Sequence, residues 1–497
     1  MSFLLQLLEG RRIPILTFHK TVQGHLHIAK GIPCEDYSLS YSDTEGRFHI
    51  AVTADGHGDP SCMRSADGSR FAAEIALDCL KEFAQSAFEP DSEQFTPDFT
   101  ENMKTPKYRD QLVRQLMNAI IARWYQQVHE DLDQNPLTEE ELETANKSDN
   151  QGERYRRGER LEHIYGTTLI AALYIREDYL ILIQQGDGRC DVFYGDGHVE
   201  QPIPWDDRCF ENITTSMCDT DVVSGIRYHV VDLTEQPVIA CYMGSDGVED
   251  SYRDMEGTHT FYRNLSCKAV ELGNAEAIEA HLEAMLPGFS KTGSGDDVSV
   301  AAIVDLERLR SLVPSFEALS RRYTLEDSKL LYEGKLASMT RKREILKRRL
   351  EDAGKAAADK KSVVETAQDT LEKLRAELEL IRTAVKQVEA EVAEDNHLSS
   401  AQRQYKELCK REEATASRVQ NQENVLAQLT AELGELSEKL ESAQSEHDEY
   451  EARYVGYEES LRGIKADMDA LLKVSQSSET DTAANPVLEQ DPDGSLS

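Results

Sequence analysis

The sequence is short of positive charge. Its 55 Lys and Arg face 92 Asp and Glu, a formal net charge of −37. Nucleic acid and anionic membranes both require a basic face, so neither is expected as a general partner. The chain also lacks any apolar stretch approaching the ~20 residues of a membrane span. The opening MSFLLQLLEGRR has too short an apolar run and no basic leader for a secretory signal, so a cytoplasmic protein is expected. Nine cysteines include no C-x-x-C pair and leave one over. That favours free thiols in a reducing compartment over a disulfide or zinc framework. Apolar residues make up only 39% of the chain and charged residues 30%, against an apolar share of ~45–50% in an ordinary globular domain. With room for about two to four domains, this balance suggests a globular part joined to a long, charged one.

The two parts differ in period. From Leu16 to about Leu309 the chain mixes strands and helices. GRFHIAVTA, YGTTLIAALYI, DYLILIQQG, PVIACYMGS and DDVSVAAIVDL are Val/Ile/Leu-rich, several alternate with period 2, and turn residues bound them. GSRFAAEIALDCLKEFAQ and YRDQLVRQLMNAIIARWYQQVHEDL instead space apolar residues at three and four, as helices do. Strands arriving in succession with helices inserted between them predict an α+β domain over residues 1–312. Residues 137–160 are charged, lack apolar periodicity and read as a mobile surface loop.

Beyond Val313-Pro314 a heptad seam begins, with Leu346, Leu350, Ala353, Ala357, Val364, Ala367 and Leu371 among its members. The seam breaks at EDNHLSS and resumes one residue out of phase, through Val419, Leu426, Leu429, Leu433 and Leu440. The prediction is a coiled coil over 320–474, with arms 320–394 and 399–474 and turn chemistry at Asp395-Asn396. Two equal arms can fold back as an antiparallel hairpin roughly 100 Å long. A continuous dimerising helix with a discontinuity is the alternative. Residues 475–497 have little apolar content and read as a disordered acidic tail.

Four acidic pairs or turns sit at strand ends. Glu35-Asp36 opens a strand, Asp55-Gly56 closes the next, Asp246-Gly247 follows another, and Asp296-Asp297 precedes one. Singly, each reads as turn or loop chemistry, since Asp-Gly occurs six times in the chain. Together they could converge at one rim of a sheet, where their repulsion demands a cation. Oxygen donors without a Cys/His cluster point to Mg²⁺ or Mn²⁺. Two such ions sharing an Asp can hold a bridging water and aim it at phosphorus.

The order ED, DGHG, GTT, GDGR, SDG and DDVSV resembles the metal-dependent PPM (protein phosphatase 2C-like) Ser/Thr phosphatases. GHLHIAKGIPCED is similar to the GxxHxxxGxPCxD opening of the bacterial branch. The resemblance covers about residues 15–305. It implies two packed antiparallel sheets flanked by helices, with two Mn²⁺ or Mg²⁺ ions at one end. It implies that Asp55 bridges both ions, the Gly56 carbonyl binds one, Asp246 and Asp296 complete one site, and Glu35 and Asp36 serve the other. Asp187 matches a weaker third metal position, Asp250 a supporting acid, and His57 the histidine that protonates the leaving alkoxide. The implied substrate is a phosphorylated Ser/Thr protein, by analogy a kinase or its target, attacked directly by the metal-bridging water.

Two positions depart from the family pattern. Gly31 stands where many members carry the phosphate-gripping arginine, leaving Lys30, Arg64 or Arg70 as nearby cations. Asp297 stands where many have Asn. The alternative function is a catalytically weak or inactive phosphatase-fold scaffold acting through the coiled coil. In either case the coiled coil could bind a partner or self-associate.

Overall fold

The computed structural model describes residues 15–90, 92–176, 178–210, 213–394 and 399–483. They divide into two compact units between Tyr323 and Thr324. The first unit opens with β1 (Ile15–Val22), α1 (His25–Lys30), β2 (Tyr37–Ser42) and β3 (Phe48–Ala54). Helices α2 (Ser65–Ser86), α3 (Pro97–Lys104), α4 (Pro106–Gln134), α5 (Glu139–Ala145) and α6 (Gln151–Arg156) follow. Next come β4 (Leu169–Ile175), β5 (Tyr179–Gln185), β6 (Arg189–Tyr194), β7 (Val199–Glu200), α7 (Val222–Gly225), β8 (Arg227–Asp232) and β9 (Val238–Gly244). Helices α8 (Asp246–Glu249), α9 (Met255–Leu272) and α10 (Ala275–Thr292) lead to β10 (Val298–Asp305).

The strands make two antiparallel sheets, ordered β1-β10-β9-β6-β7 and β2-β3-β4-β5-β8. Their facing sides enclose one apolar layer that includes Ala51, Leu182, Val192, Met243 and Ile303. The outer face of the second sheet packs on α2 and α4 through Phe71, Leu80, Ile120 and Trp124. The outer face of the first packs on α9 and α10 through Tyr262, Leu265, Leu282 and Leu286. Every residue of β3, β4 and β9 is therefore buried, which is why these strands read as apolar runs more than as clean alternation. The expected sandwich is present, and all nine cysteines are free.

Three expectations need correction. Residues 137–160 carry α5 and α6 where a loop was expected. Thr138 and Glu141 form a capping box, and Leu142, Ala145 and Tyr155 are buried. The first unit runs beyond residue 312, because Leu309 and Phe316 complete its core. Their helix, α11 (Leu306–Glu394), continues through Pro314, where the change of character had suggested a boundary. The last helix, α12 (Ser399–Ala483), passes the expected end at 474. Residues 484–497 of the expected tail, the opening MSFLLQLLEGRR and the Asp395-Asn396 turn lie outside the described residues.

The second unit is an antiparallel helical hairpin. Cross-arm pairs run Glu333–Lys465, Arg343–Glu451, Lys360–Glu432, Arg375–Glu423 and Arg382–Glu412, one number falling as the other rises. Val364, Leu371, Leu378 and Val419 are buried along the seam, as the heptads require. Among the described residues no helix is long and apolar enough to cross a membrane.

Candidate metal centre

Register brings the acidic motifs to one end of the sandwich. Tyr37 pairs with Ala54, so Asp36 and Asp55 leave adjacent strands at the same edge. Gly244 pairs with both Val300 and Arg189, which places Asp246 beside Asp296-Asp297 and Asp187. Glu35, Asp36, Asp55, Gly56, His57, Asp187, Asp246, Asp250 and Asp296 all line one cleft of ≈ 530 Å³.

The backbone around these residues is fixed by hydrogen bonds from far along the chain. The Asp55 N–H donates to Thr168 Oγ1 at 3.1 Å, and the Asp55 carbonyl accepts from Thr168 N–H at 2.8 Å and Thr167 Oγ1 at 2.9 Å. The Gly-Thr-Thr motif thus presents Asp55. Ser65 Oγ donates to Glu35 Oε1 at 2.6 Å, and Ser69 Oγ to the Glu35 carbonyl at 2.5 Å. A Cβ on Gly56 would sit 2.5 Å from the Glu35 carbonyl oxygen, and one on Gly247 2.0 Å from that of Asp297. Both Asp-Gly turns therefore need glycine for close backbone approach.

The acids repel one another. Desolvation holds Asp55 well above the usual carboxylate range, and Asp246, Asp36, Asp187 and Asp296 push it further. Asp36 is raised by desolvation and Asp297, against hydroxyl hydrogen bonds from Ser245 and Ser299. Asp246 is pushed up to about 7 by desolvation, then by Asp296 and Asp187. Desolvation also raises Glu35 and Asp250. Glu35 Oε2 and Asp36 Oδ2 are buried without a hydrogen-bond partner. Buried, mutually repelling oxygen donors with two orphaned atoms fit a hard divalent cation.

No lysine or arginine lines the cleft among the described residues. This corrects two expectations. Lys30 ends α1 on the exposed surface. Arg64, expected near the phosphate, is spent on structure. Its guanidinium donates to Glu141 at 2.7 and 3.2 Å, to the Asn135 carbonyl at 2.8 Å and to Tyr165 Oη at 2.9 Å. Arg70 pairs with Asp67 and Glu74. The partners of Arg64, Asp131 included, lie 67 to 101 residues away, so nothing local in the sequence distinguished it from a free cation.

His57 lies in the cleft wall, its backbone N–H donating to the Gly166 carbonyl at 3.0 Å. Desolvation lowers its pKa to about 4, with His163 adding and Asp59 opposing. Asp59, which the motifs left without a role, accepts from Ser61 N–H at 2.7 Å and from Ser148 Oγ at 3.2 Å, joining the turn to the 137–160 segment.

The sequence-family model described as protein phosphatase 2C matches residues 23–287. The chain belongs to the protein phosphatase 2C family. The match contains every candidate ligand of this phosphatase 2C domain except Asp296, which lies nine residues past its end. A search of curated proteins returns no match. Among solved structures, RsbX in complex with magnesium aligns at 11% identity and a TM-score of 0.29, over 59% of this chain and 97% of that one. The photosystem II phosphatase PBCP aligns at 14% and 0.33, over 58% and 98%. The phosphatase 2C domain of SpoIIE from Bacillus subtilis aligns at 13% and 0.30, over 58% and 63%. At TM-scores this low the likenesses add nothing to the family match and the observed topology.

Proposed function

We propose that the first unit is a protein serine/threonine phosphatase that hydrolyses phosphomonoesters with Mn²⁺ or Mg²⁺, and that the helical hairpin is an arm for partner binding or assembly. One observation carries this reading: Glu35, Asp36, Asp55, Asp246 and Asp296 share one cleft in which, among the described residues, no lysine or arginine offsets them. Two divalent ions held there, with Asp187 as a weaker third position, would activate water and neutralise phosphoryl charge. Thr167 and Thr168 keep Asp55 at the centre of the acids, and Ser65 holds one Glu35 oxygen while leaving the other free. His57, in the cleft wall, would give a proton to the departing seryl or threonyl oxygen as its bond to phosphorus breaks. The scaffold alternative is not favoured, because no expected ligand position is lost.

The full chain is tested on phosphoserine and phosphothreonine peptides with Mn²⁺ and with Mg²⁺. Turnover that requires the ion and stops on addition of EDTA is expected. No turnover with either ion overturns the reading. A phosphorylated kinase or its target is the substrate class to examine first, by family analogy.

A further inference from the structure

We propose that His27 is a positioning residue of the metal centre: a ring seated between Asp297 and Asp296 that confines the carboxylate of Asp296. The inference rests on the phosphatase reading, since it takes Asp296 as a metal ligand.

The backbone of α1 is bolted to the turn before β10. Gly24 N–H donates to Asp297 Oδ1 at 2.6 Å, His25 N–H to Ser290 Oγ at 3.0 Å, and Leu26 N–H to the Gly295 carbonyl at 2.8 Å. A Cβ on Gly24 would lie 2.4 Å from the Asp296 carbonyl carbon, so the helix can approach this closely only with glycine there. This brings the His27 ring between two neighbouring acids. Its Nε2 lies 3.3 Å from Asp296 Oδ1, and its Nδ1 lies 3.0 Å from Asp297 Oδ1. Ligand atoms of all three residues fall within 4.8 Å of one another.

The two acids are not equivalent. Asp297 is 3% exposed, and both its oxygens are committed, Oδ1 to Gly24 N–H and Oδ2 to Glu35 N–H at 2.6 Å. It cannot turn without releasing the chain on both sides of the cleft. The Asp296 side chain is 50% exposed, and a carboxylate that open would swivel. Its Oδ1 accepts from Asp297 N–H at 2.8 Å and faces His27, while its Oδ2 has no protein partner among the described residues. The ring therefore holds one oxygen and leaves the other for the cleft.

Nε2 lies against the Asp296 carboxylate, while Nδ1, although 3.0 Å from Asp297 Oδ1, is buried without a hydrogen-bond partner, so the ring is wedged between the two acids by packing as much as by charge. Partners that orient metal ligands in this way typically account for about 10–100-fold in metal affinity.

The test is calorimetric titration of Mn²⁺ into the full chain, with thermal unfolding in EDTA as the check on folding. His27→Ala should bind Mn²⁺ about 10–100-fold more weakly, yet unfold in EDTA within a few degrees of wild type. His27→Gln, whose amide nitrogen can replace Nε2, should recover most of the affinity. His27→Asn, which reaches only toward Asp297, should not. Wild-type affinity in His27→Ala overturns the proposal, as does recovery by Asn but not Gln. If His27→Ala fails to fold, the Gln and Asn pair decides. Wild-type binding without phosphatase turnover would sink the functional reading and leave this one standing. No binding by wild type would sink both.

Discussion

At the rim of the sandwich, Asp55, Asp36 and Asp246 face one another, held above the usual carboxylate range by desolvation and by their neighbours. Along the hairpin, Glu451 and Glu432 face Arg343 and Lys360, whose hydrogen bonds draw them below that range. The same side-chain chemistry has opposite signs in the two units. Folding alone gives no reason to collect like charges in a partly dry cleft, so repulsion of this kind points to a ligand that offsets it. Opposite charges spaced along two solvated helices set register and orientation at little energetic stake. The acids that cost stability mark the site, and those that pair mark the arm.

The sharpest test of that contrast is Asp55→Asn. Metal-dependent hydrolysis of a phosphopeptide should fall by more than about 100-fold, since a ligand matters more than the partners that orient it. In EDTA the same variant should unfold at a higher temperature than wild type, because one repelling carboxylate is gone. Both tryptophans, Trp124 and Trp205, lie in the first unit, so their fluorescence reports its unfolding separately from the helical hairpin. A variant that loses activity and also loses stability in EDTA would contradict the repulsion account.

The next effect is confined to the first unit and depends on pH. His49 is 4% exposed, with Nδ1 2.9 Å from Ser42 Oγ, and desolvation lowers its pKa to about 4. The folded protein keeps the ring neutral, whereas the unfolded chain takes up a proton below about 6.5. Its stability contribution is therefore complete above about pH 6.5 and is lost as pH falls toward 4, up to about 3 kcal/mol. The raised acids of the cleft gain stability over the same range, so the reading is the difference. From pH 7 to pH 5 tryptophan-monitored unfolding should shift less favourably in wild type than in His49→Gln. An equal shift in both would remove His49 as the cause.

In the hairpin the corresponding large effect comes from the seam. Leu371 is 5% exposed and packs with Leu374, Leu378 and Val419. Leu371→Ala should cost about 2 kcal/mol or somewhat more, the low end for a buried leucine, because two solvated helices can partly close the gap. Far-ultraviolet circular dichroism should report the change, while ion-dependent hydrolysis stays at the wild-type rate. A matching fall in hydrolysis would mean the two units are energetically coupled.

How much of this was legible in the sequence differs between the units for the same physical reason. Heptads are local, so the hairpin arms and their seam could be read one turn at a time. The acids at strand ends were legible as motifs, because strands ending in Asp-Gly or starting after Asp-Asp are short-range patterns. What those acids touch was not. Asp55 is presented by Thr167 and Thr168, and His27 is set against Asp296 and Asp297, contacts spanning more than a hundred residues. Arg64 looked available because Glu141, Asn135 and Tyr165 come later in the chain. The helices within 137–160 did leave a local signal, the Thr138-x-x-Glu141 capping box, hidden in a charged stretch without apolar periodicity. Strand β1 was not read at all, although it pairs along its length with β10 nearly three hundred residues away.

The smallest expected effect closes the contrast. Arg343 Nε donates to Glu451 Oε2 at 2.6 Å, Nη2 reaches Oε1, and the guanidinium lies 4.3 Å from the centre of the Tyr454 ring. The geometry is that of a strong two-pronged pair, yet both side chains remain in contact with solvent. Water screens the attraction, and ordering two long side chains costs entropy, so Glu451→Gln should lower hairpin stability by less than about 1 kcal/mol. Raising salt to about 1 M shortens the screening length to about 3 Å and should erase most of the difference from wild type. Arg343→Ala should cost more than Glu451→Gln, since it also uncovers the Tyr454 ring. If Glu451→Gln instead destabilised the hairpin more than Leu371→Ala, the arm would be held by its charges, and pairing would no longer separate structural acids from those of the site.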